Sequence, residues 1–267
     1  LRVVPVGGLH PWAIGETPVE LLTDNGIVRG VLSLGSKHVS NESPAGELKD
    51  GKGLSWDRMW IDCKLSPNEL KQRDIGPGTR VVIARHRKNI WEIENYICGH
   101  NLDCRVGLAI IFEVAEQLLL NTPDQDVYLI ASEREEIGGH GASFALANLP
   151  AETAIAVDIA PVAPEYGTKN IDHPILIEKD SRGVYHAATN KYLISLAQKE
   201  GFEVQSAVVT SYGSDSSIAH ASGHVGRSCL VGYPGDNTHG YEICSKEAII
   251  NTTRLVTAFT QNPLSNL

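Results

Sequence analysis

The pattern of apolar and polar positions changes about one third of the way along the chain. Up to about residue 95, short alternating apolar stretches are separated by segments rich in Gly, Pro, Asp and Asn, which is typical of strands joined by turns. The predicted strands are "TPVELLT", "GIVRGVLSL", "MWIDCKL" and "TRVVIARH", with a long turn, "SPAGELKDGKG" (43–53), after the second. Only "SPNELKQRDIG" (66–76) has a helical pattern, with Ser66 as its N-cap and Pro67 at the first helical position. This spacing of strands predicts a small β-barrel or sandwich.

Beyond about residue 97, longer helical patterns alternate with short apolar runs. Apolar residues recur at helical spacing in "CRVGLAIIFEVAEQLLL" (104–120). Helices are also predicted for "GASFALANL", "NKYLISLAQKEG" (190–201), "SDSSIAHASG" and "SKEAIINTTRLVTAF" (245–259), and strands for "DVYLIAS" (126–132), "TAIAVDIA" (153–160), "FEVQSAVV" and "SCLVGYP". Such alternation is typical of an α/β domain with helices on both faces of a sheet. We therefore expect a β domain at 1–96 and an α/β domain at 97–267.

Charge and composition narrow the range of partners. The 267 residues carry a formal net charge of −9, which argues against a nucleic-acid or anionic-membrane surface because such surfaces need clustered Lys and Arg. No apolar run reaches the roughly 20 residues needed to cross a bilayer. The five cysteines are scattered, odd in number and without a CxxC pair, as expected for free thiols in a reducing compartment such as the cytoplasm: Cys63, Cys98, Cys104, Cys229 and Cys244.

Acids and one histidine lie next to several of the predicted strands and helices. Ligands of open α/β sheets collect outside the carboxyl ends of the strands, so side chains at these positions are expected to converge. Asp103 precedes the first long helix, and Asp158 follows the apolar run "AIAV". His239 follows the strand "SCLVGYP" by one loop, and "YLIASEREEIGG" carries Glu135 and Glu136 into a glycine turn. Four acids and one histidine are thus predicted at one edge of one sheet.

This set of side chains suits a hydrolytic metal site. Hard divalent cations bind carboxylate oxygens, and zinc accepts carboxylate together with imidazole. Two cations about 4 Å apart share at least one carboxylate, and a further carboxylate is needed as the general base. Adjacent side chains of an extended backbone point in opposite directions, so Glu135 and Glu136 are expected to divide these two tasks. Gly138 and Gly139 would allow the sharp turn.

Each of these residues also has a simpler interpretation. Asp103 is in position to be the N-cap of the helix that follows it. A charge run such as Glu135 and Glu136 is more commonly a solvated loop, and a single histidine such as His239 is more commonly a surface residue. Paired carboxylates alone would also serve a glycoside hydrolase. Asp158 is harder to explain in this way, because it follows a predicted central strand.

Five motifs occur in a fixed order along the second part of the chain: "LDCRVG" (102–107), "EREEIGGHGA" (133–142), "AIAVDIAP" (154–161), "YGSDSS" (212–217) and "PGDNTHGYE" (234–242). Together they resemble the M42 family of metallo-aminopeptidases. In the first third, "VVPVGG", "GIVRGVLS" and "IDCKLSPNELKQRDIGPGTRVV" are similar to the family's inserted β-barrel, or PDZ-like, dimerisation domain. The resemblance implies that dimerisation domain for 1–96. For 97–267 it implies a zinc-peptidase-like α/β catalytic domain, with a mixed sheet flanked by helices.

The resemblance also implies a role for each candidate residue. Asp103 corresponds to a carboxylate that bridges two metal ions, and Glu135 corresponds to the general base. Glu136 and His239 would complete the site of one ion with Asp103, whereas Asp158 would bind the other ion with Asp103. The implied cofactors are two divalent ions, zinc or cobalt. The implied activity is the removal of N-terminal residues from peptides by a homo-oligomer built from dimers, of which a dodecamer is one possible size.

Several other positions differ from the residues that are usual in the family. Asp215 lies in a turn, "GSD", that resembles the family's "GTD", and is expected at most to contact the metal ligands. Cys104 replaces the usual Asn of "LDNR", which either places a thiol at the site or is a tolerated substitution, and His140 stands where Arg is common. The family's other metal-binding histidine belongs to an upstream H-x-D motif, whereas this chain begins inside the insert. We therefore expect either a further N-terminal portion in the natural protein or an impaired site. A non-catalytic assembly protein on the same scaffold is the alternative function.

Overall fold

The computed structural model spans 267 residues and describes 1–35, 53–262 and 264. The chain divides into two compact units. Unit 1 comprises Leu1–Ile90 with His239–Tyr241, and unit 2 comprises Trp91–Thr238 with Glu242–Leu267. The turn predicted at 43–53 lies, except for Gly53, outside the described residues. The functions expected of the two predicted domains stay predictions.

Unit 1 contains an antiparallel sheet of four strands in the order β3-β2-β1-β4. The strands are β1 (Thr17–Thr23), β2 (Gly26–Ser33), β3 (Trp60–Asp62) and β4 (Arg80–Ile83), and the helices are α1 (Pro11–Ile14) and α2 (Pro67–Gln72). Alternation along β1 and β2 buries Val19, Leu21 and Leu32 on one face. Ser66 and Glu69 form a capping box, in which each side chain accepts a hydrogen bond from the other's backbone amide. The helix predicted at the Ser66 N-cap is confirmed.

The four strands of unit 1 form an open sheet. Among the strands of the described residues, β3 pairs with β2 and β4 pairs with β1, and β3 has in addition only an isolated bridge between Trp60 and Arg2, so no closed barrel is found. The β3 strand has three residues, which is short for a barrel strand. The expected β-barrel is therefore confirmed only as an antiparallel β structure, and its PDZ-like character stays a prediction.

Unit 2 contains a mixed sheet of seven strands. The strands are β5 (Trp91–Ile93), β6 (Tyr96–His100), β7 (Thr153–Pro161), β8 (Ile175–Lys179), β9 (Gln205–Val208), β10 (Arg227–Asp236) and β11 (Tyr241–Ser245). Six of them follow the order β5-β6-β11-β10-β8-β9, and β7 pairs in parallel with β10 along its length. All but the two end residues of β10 are buried, because this strand has neighbours on both sides. The mixed α/β architecture predicted for this part of the chain is confirmed.

Five helices of unit 2 were predicted from periodicity, and all five are present. They are α3 (Leu102–Leu120), α4 (His140–Asn148), α5 (Ala187–Lys199), α6 (Asp215–Ala221) and α7 (Lys246–Gln261). The largest core cluster joins Ile110 of α3, Leu193 of α5 and Leu255 of α7 to Val231 and Tyr233 of β10. Among the helices of the described residues, none combines the length and hydropathy needed to traverse a bilayer.

One predicted strand, "DVYLIAS" (126–132), is wrong. The segment is neither strand nor helix, and Tyr128 and Leu129 are 42% and 41% exposed. Its apolar pattern suits a strand, but no strand of the described residues pairs with it. Because a strand exists only through hydrogen bonds to a neighbour, an apolar pattern does not create one by itself. The prediction of free thiols is confirmed, since all five cysteines are unbridged.

Candidate metal centre and active site

Asp103 lies at the start of α3, where a buried glutamate holds the backbone. Glu242 of β11 is 1% exposed, and its Oε2 accepts hydrogen bonds from the amides of Leu102 (2.6 Å) and Asp103 (3.1 Å). Asn101 occupies the N-cap position and makes no side-chain cap bond, and Asp103 itself has non-helical backbone angles. Because an N-cap residue itself has non-helical backbone angles, the simpler interpretation of Asp103 as an N-cap stays an interpretation. The peptide bond between Asp103 and Cys104 is cis.

Asp158 lies within β7, opposite Gly232 of β10. Its Oδ1 accepts a hydrogen bond from the Ile159 amide (2.8 Å), and its Oδ2 accepts one from the Tyr212 hydroxyl (2.9 Å). The same hydroxyl lies 2.9 Å from the carbonyl oxygen of Ile159, so its proton is shared between two acceptors. Both carboxylate oxygens of this buried aspartate are thus positioned by fixed donors.

Glu135 and Glu136 lie in a single turn of 3₁₀ helix. Arg134 before the turn and the two glycines after it have positive φ values of 60°, 126° and 60°. The expectation that Gly138 allows a sharp turn is confirmed, because its backbone angles suit a residue without a Cβ atom. The expectation of an extended backbone is wrong. In a 3₁₀ helix, adjacent side chains are about 120° apart rather than opposite.

These elements bring three carboxylates together within unit 2. An oxygen of Asp103 lies within 4.8 Å of an oxygen of Glu136, and within 4.8 Å of an oxygen of Asp158. The Sγ atom of Cys104 lies within the same distance of both aspartates. A zinc ion with ligands at about 2.0–2.3 Å holds its donor atoms slightly closer together than this limit. The donor atoms therefore need only small adjustments to surround a cation.

Burial and mutual repulsion raise the pKa values of the clustered acids. Burial, followed by the charges of Asp158 and Glu136, raises the pKa of Asp103 from 3.8 to about 10. Burial, followed by the charges of Asp158 and Asp215, raises the pKa of Glu135 from 4.5 to about 8. Burial also raises the pKa of Asp158. Acids crowded in this way are stable when protonated or when beside a cation, so the donor set fits a divalent metal ion.

Asp215 begins α6 and lies beside the double-glutamate turn. Its Oδ2 accepts a hydrogen bond from the Ser132 hydroxyl, whereas its buried Oδ1 has no hydrogen-bond partner among the described residues. A Cβ atom on Gly139 would lie 3.2 Å from this Oδ1. Asp215 is also one of the charges that raise the pKa of Glu135. It is therefore close to the candidate base, and its contact with the metal ligands stays a prediction.

The ring of His239 has a defined orientation. Its Nδ1 lies 3.0 Å from the carbonyl oxygen of Gly8, within unit 1. A carbonyl oxygen only accepts hydrogen bonds, so Nδ1 carries a proton in this contact. The grouping of His239 with Asp103 and Glu136 stays a prediction. His140, the other departure from the family pattern, begins α4.

Three residues that were not among the predicted site residues position the candidate ligands. Glu242 holds the backbone at Asp103, Tyr212 holds the Asp158 carboxylate, and the Tyr233 hydroxyl donates to the Leu102 carbonyl oxygen (2.9 Å). Two of them lie in motifs that were already singled out, since Tyr212 begins "YGSDSS" and Glu242 ends "PGDNTHGYE". The sequence signal for Glu242 was a charged residue between the apolar residues of "YEICS", a segment that forms a strand in which Glu242 is buried.

Comparison with known proteins identifies relatives of this chain. The profile of the M42 glutamyl aminopeptidase family matches residues 1–255. The lysyl aminopeptidase of Pyrococcus furiosus is 31% identical over 162 residues, which are 60% of this chain and 44% of that protein. The chain spans about half the length of the curated relatives it matches.

Two solved structures have a similar fold. An aminopeptidase from the archaeon Desulfurococcus kamchatkensis aligns with a TM-score of 0.85 at 24% identity, covering 98% of this chain and 72% of that chain. The TET1 peptidase of Pyrococcus horikoshii, which can assemble into a tetrahedron or a large octahedral shell, aligns with a TM-score of 0.79 at 21% identity, covering 96% and 75%. These likenesses show the fold, and the family profile extends over most of the sequence. The chain belongs to the M42 glutamyl aminopeptidase family.

Proposed function

We propose that this chain is the metal-binding part of an aminopeptidase that removes N-terminal residues from peptides. The observation that carries the proposal is the convergence of Asp103, Glu136 and Asp158, with Glu135 beside them. Two divalent ions suit these carboxylates, and the family resemblance implies that they are zinc or cobalt. Asp103 would bind both ions, and Asp158 would bind one of them.

His239 is proposed as a further ligand on the ion bound by Glu136. Its Nδ1 lies 3.0 Å from the carbonyl oxygen of Gly8, a contact in which the neutral ring would present Nε2 to a metal ion. It also lies only three positions before Glu242, whose carboxylate holds the backbone of Asp103. This short separation along the chain supports the proposal that His239 is a ligand together with Asp103 and Glu136.

Glu135 is proposed as the general base. When bound, the divalent ions would supply a positive charge that polarises the scissile carbonyl and makes water more acidic. Glu135 would take a proton from the attacking water and pass it to the departing amine. In the chain without bound ions, burial and the neighbouring acids raise its pKa from 4.5 to about 8.

The glycosidase alternative is less well supported. A glycosidase needs two carboxyl groups on opposite sides of a glycosidic bond. Here Glu135 and Glu136 instead lie beside further acids, Asp103 and Asp158, and a thiol. A cluster of four carboxyl groups and a thiol is better suited to binding cations than to hydrolysing a glycosidic bond.

The proposal is tested by comparing Glu135→Gln with Glu133→Gln. An amide cannot accept the proton, so we expect Glu135→Gln to reduce the hydrolysis of N-terminal peptide substrates by about 10²–10⁴-fold. Metal content, measured by elemental analysis, is expected to stay at the parent value because Glu135 is not a proposed ligand. Glu133 has an exposed side chain on the same loop, and its variant is expected to retain full activity.

Two results would argue against this assignment. If Glu135→Gln retained more than about a tenth of the parent activity, another residue would be the base. If the parent protein bound no divalent metal, the whole metallopeptidase proposal would fail.

A further inference from the structure

Cys104 lies in a closely fitted position next to two of the proposed ligands. Its Sγ atom is 3.3 Å from the carbonyl oxygen of Val157 and 3.5 Å from the hydroxyl of Tyr233. A Cβ atom on Gly107 would lie 2.3 Å from Sγ and 2.7 Å from the Val157 carbonyl oxygen. Real atoms do not approach this closely, so the thiol occupies its position only because residue 107 is glycine.

The sulfur is one of three potential metal-binding atoms that lie close to one another. Its Sγ atom, one oxygen of Asp103 and one oxygen of Asp158 all lie within 4.8 Å of one another. Around a tetrahedral zinc ion with the usual bond lengths, donor atoms are about 3.4–3.8 Å apart. The 4.8 Å limit exceeds these separations by about 1 Å, so shifts of at most about that size would bring the three donors onto one ion.

We propose that Cys104 is a direct ligand of the ion bound by Asp103 and Asp158, so that this site contains a thiolate in addition to carboxylates. This inference rests on the metallopeptidase function proposed above. On binding, the S–H bond breaks, the proton leaves to solvent, and the sulfur donates its electron pair to the cation. No oxidant or reductant takes part.

A thiolate would change which metals the site prefers. Soft sulfur donors favour zinc and cobalt, whereas manganese and magnesium favour oxygen donors. An all-oxygen site would lack this discrimination. The alternative is that the thiol stays protonated, donates to the Val157 carbonyl oxygen and only fills space.

Titration of the metal-stripped protein with Co²⁺ distinguishes these possibilities. Bound cobalt gives visible d–d bands with any ligands, but a near-ultraviolet charge-transfer band only when sulfur is a ligand. We expect both bands in the parent protein. In Cys104→Ser and Cys104→Asn we expect the visible bands to remain and the near-ultraviolet band to disappear. The second variant restores the residue that the family usually has, so it is expected to fold.

Cys63→Ser is the matched control, because Cys63 is another partly buried thiol and belongs to unit 1. This variant is expected to keep both bands. Visible bands without a near-ultraviolet band in the parent would overturn the inference about Cys104 and leave the proposed function intact. A near-ultraviolet band that persists in Cys104→Asn would overturn it as well, since another cysteine would then be the ligand. Absence of all cobalt bands in the parent would overturn both proposals.

The relative affinity for Zn²⁺ and Mn²⁺ provides a second test. If Cys104 only filled space, its replacement would not change this ratio. Loss of the thiolate is expected to weaken Zn²⁺ binding by more than the roughly tenfold effect of losing a partner of a ligand. Mn²⁺ binding is expected to weaken much less. Equal losses for both metals in Cys104→Asn would mean that the residue acts only through packing.

Discussion

At the scale of single residues, the candidate site consists of acids whose positions are set by uncharged or buried neighbours. Asp158 receives hydrogen bonds from the Ile159 amide and the Tyr212 hydroxyl, so its carboxylate has little freedom to rotate. The backbone of Asp103 is held by Glu242, a buried charge from another strand. Such fixed partners reduce the reorganisation needed when a cation binds.

The same crowding predicts how stability depends on pH when no metal is present. In the folded chain the pKa of Glu135 is about 8 and that of Asp103 is about 10, against ordinary values of 4.5 and 3.8. The carboxyl groups of the unfolded chain lose their protons near the ordinary pKa values. At pH values between the ordinary and the raised pKa, the folded state therefore binds more protons than the unfolded state. This stabilising contribution is complete below about pH 4 and is lost as pH rises through the folded-state values.

We therefore expect chelator-treated protein to melt at a lower temperature at about pH 9 than at about pH 6. The measurement is thermal unfolding followed by circular dichroism. Glu135→Gln is expected to make the decline shallower, because it removes one of the shifted groups, and Glu133→Gln is expected to match the parent. A melting temperature that rises over this range would show that these acids are not crowded in solution.

At the scale of elements, α3 is apolar on two faces, and only one of them is buried in unit 2. Val106, Ile110 and Val114 pack into the core, whereas Phe112 and Leu119 are 68% and 82% exposed. The periodic pattern predicted this helix correctly. It did not indicate which apolar residues are in the core, because both faces have similar composition.

This asymmetry predicts unequal effects of two similar substitutions. Ile110→Ala removes buried atoms and leaves a cavity, so we expect it to lower the free energy of unfolding by about 2–5 kcal/mol. Phe112→Ala removes an exposed side chain, and the expected change is within about 0.5 kcal/mol. Both values are measured by urea denaturation. A large effect of Phe112→Ala would mean that another surface covers this face of α3 in solution.

At the scale of the whole molecule, the family resemblance implies self-association, and we expect the sheet of unit 1 to take part in it. Leu22 of β1 lies opposite Ile27 of β2, and both are exposed, as is Val31 further along β2. An exposed apolar face on an antiparallel sheet is a suitable surface for contact with a second copy.

We expect the double variant Ile27→Asp and Val31→Asp to form smaller assemblies than the parent, because charges on this face would have to be desolvated on contact. The mass in solution is measured by light scattering. Phe144→Asp places the same charge on an exposed apolar position of α4 in unit 2 and is expected to leave the mass unchanged. A parent protein that is monomeric, or a double variant of unchanged mass, would refute the role of this surface.

Local patterns in the sequence predicted the longer helices, the cap at Ser66 and most of the long strands, but not the short helix α1. These features depend on neighbours within a few positions, such as the capping box of Ser66 and Glu69, and they are therefore visible in a single sequence. The same local signals identified Asp103, Glu135, Glu136, Asp158 and His239 as candidates, and the glycines that turn the chain after the double glutamate. The metal-binding roles of these residues rested on the family resemblance and remain predictions.

Which of these groups are neighbours, and which residues hold them in place, depends on contacts between distant parts of the chain. Glu242 meets Leu102 across 140 positions of sequence, and Tyr212 meets Asp158 across 54, so neither contact leaves a local pattern. The segment 126–132 has the apolar pattern of a strand yet does not form one, because a strand needs a pairing partner that local sequence cannot supply. The raised pKa values have the same origin, since burial and repulsion depend on distances that exist only after the chain has folded.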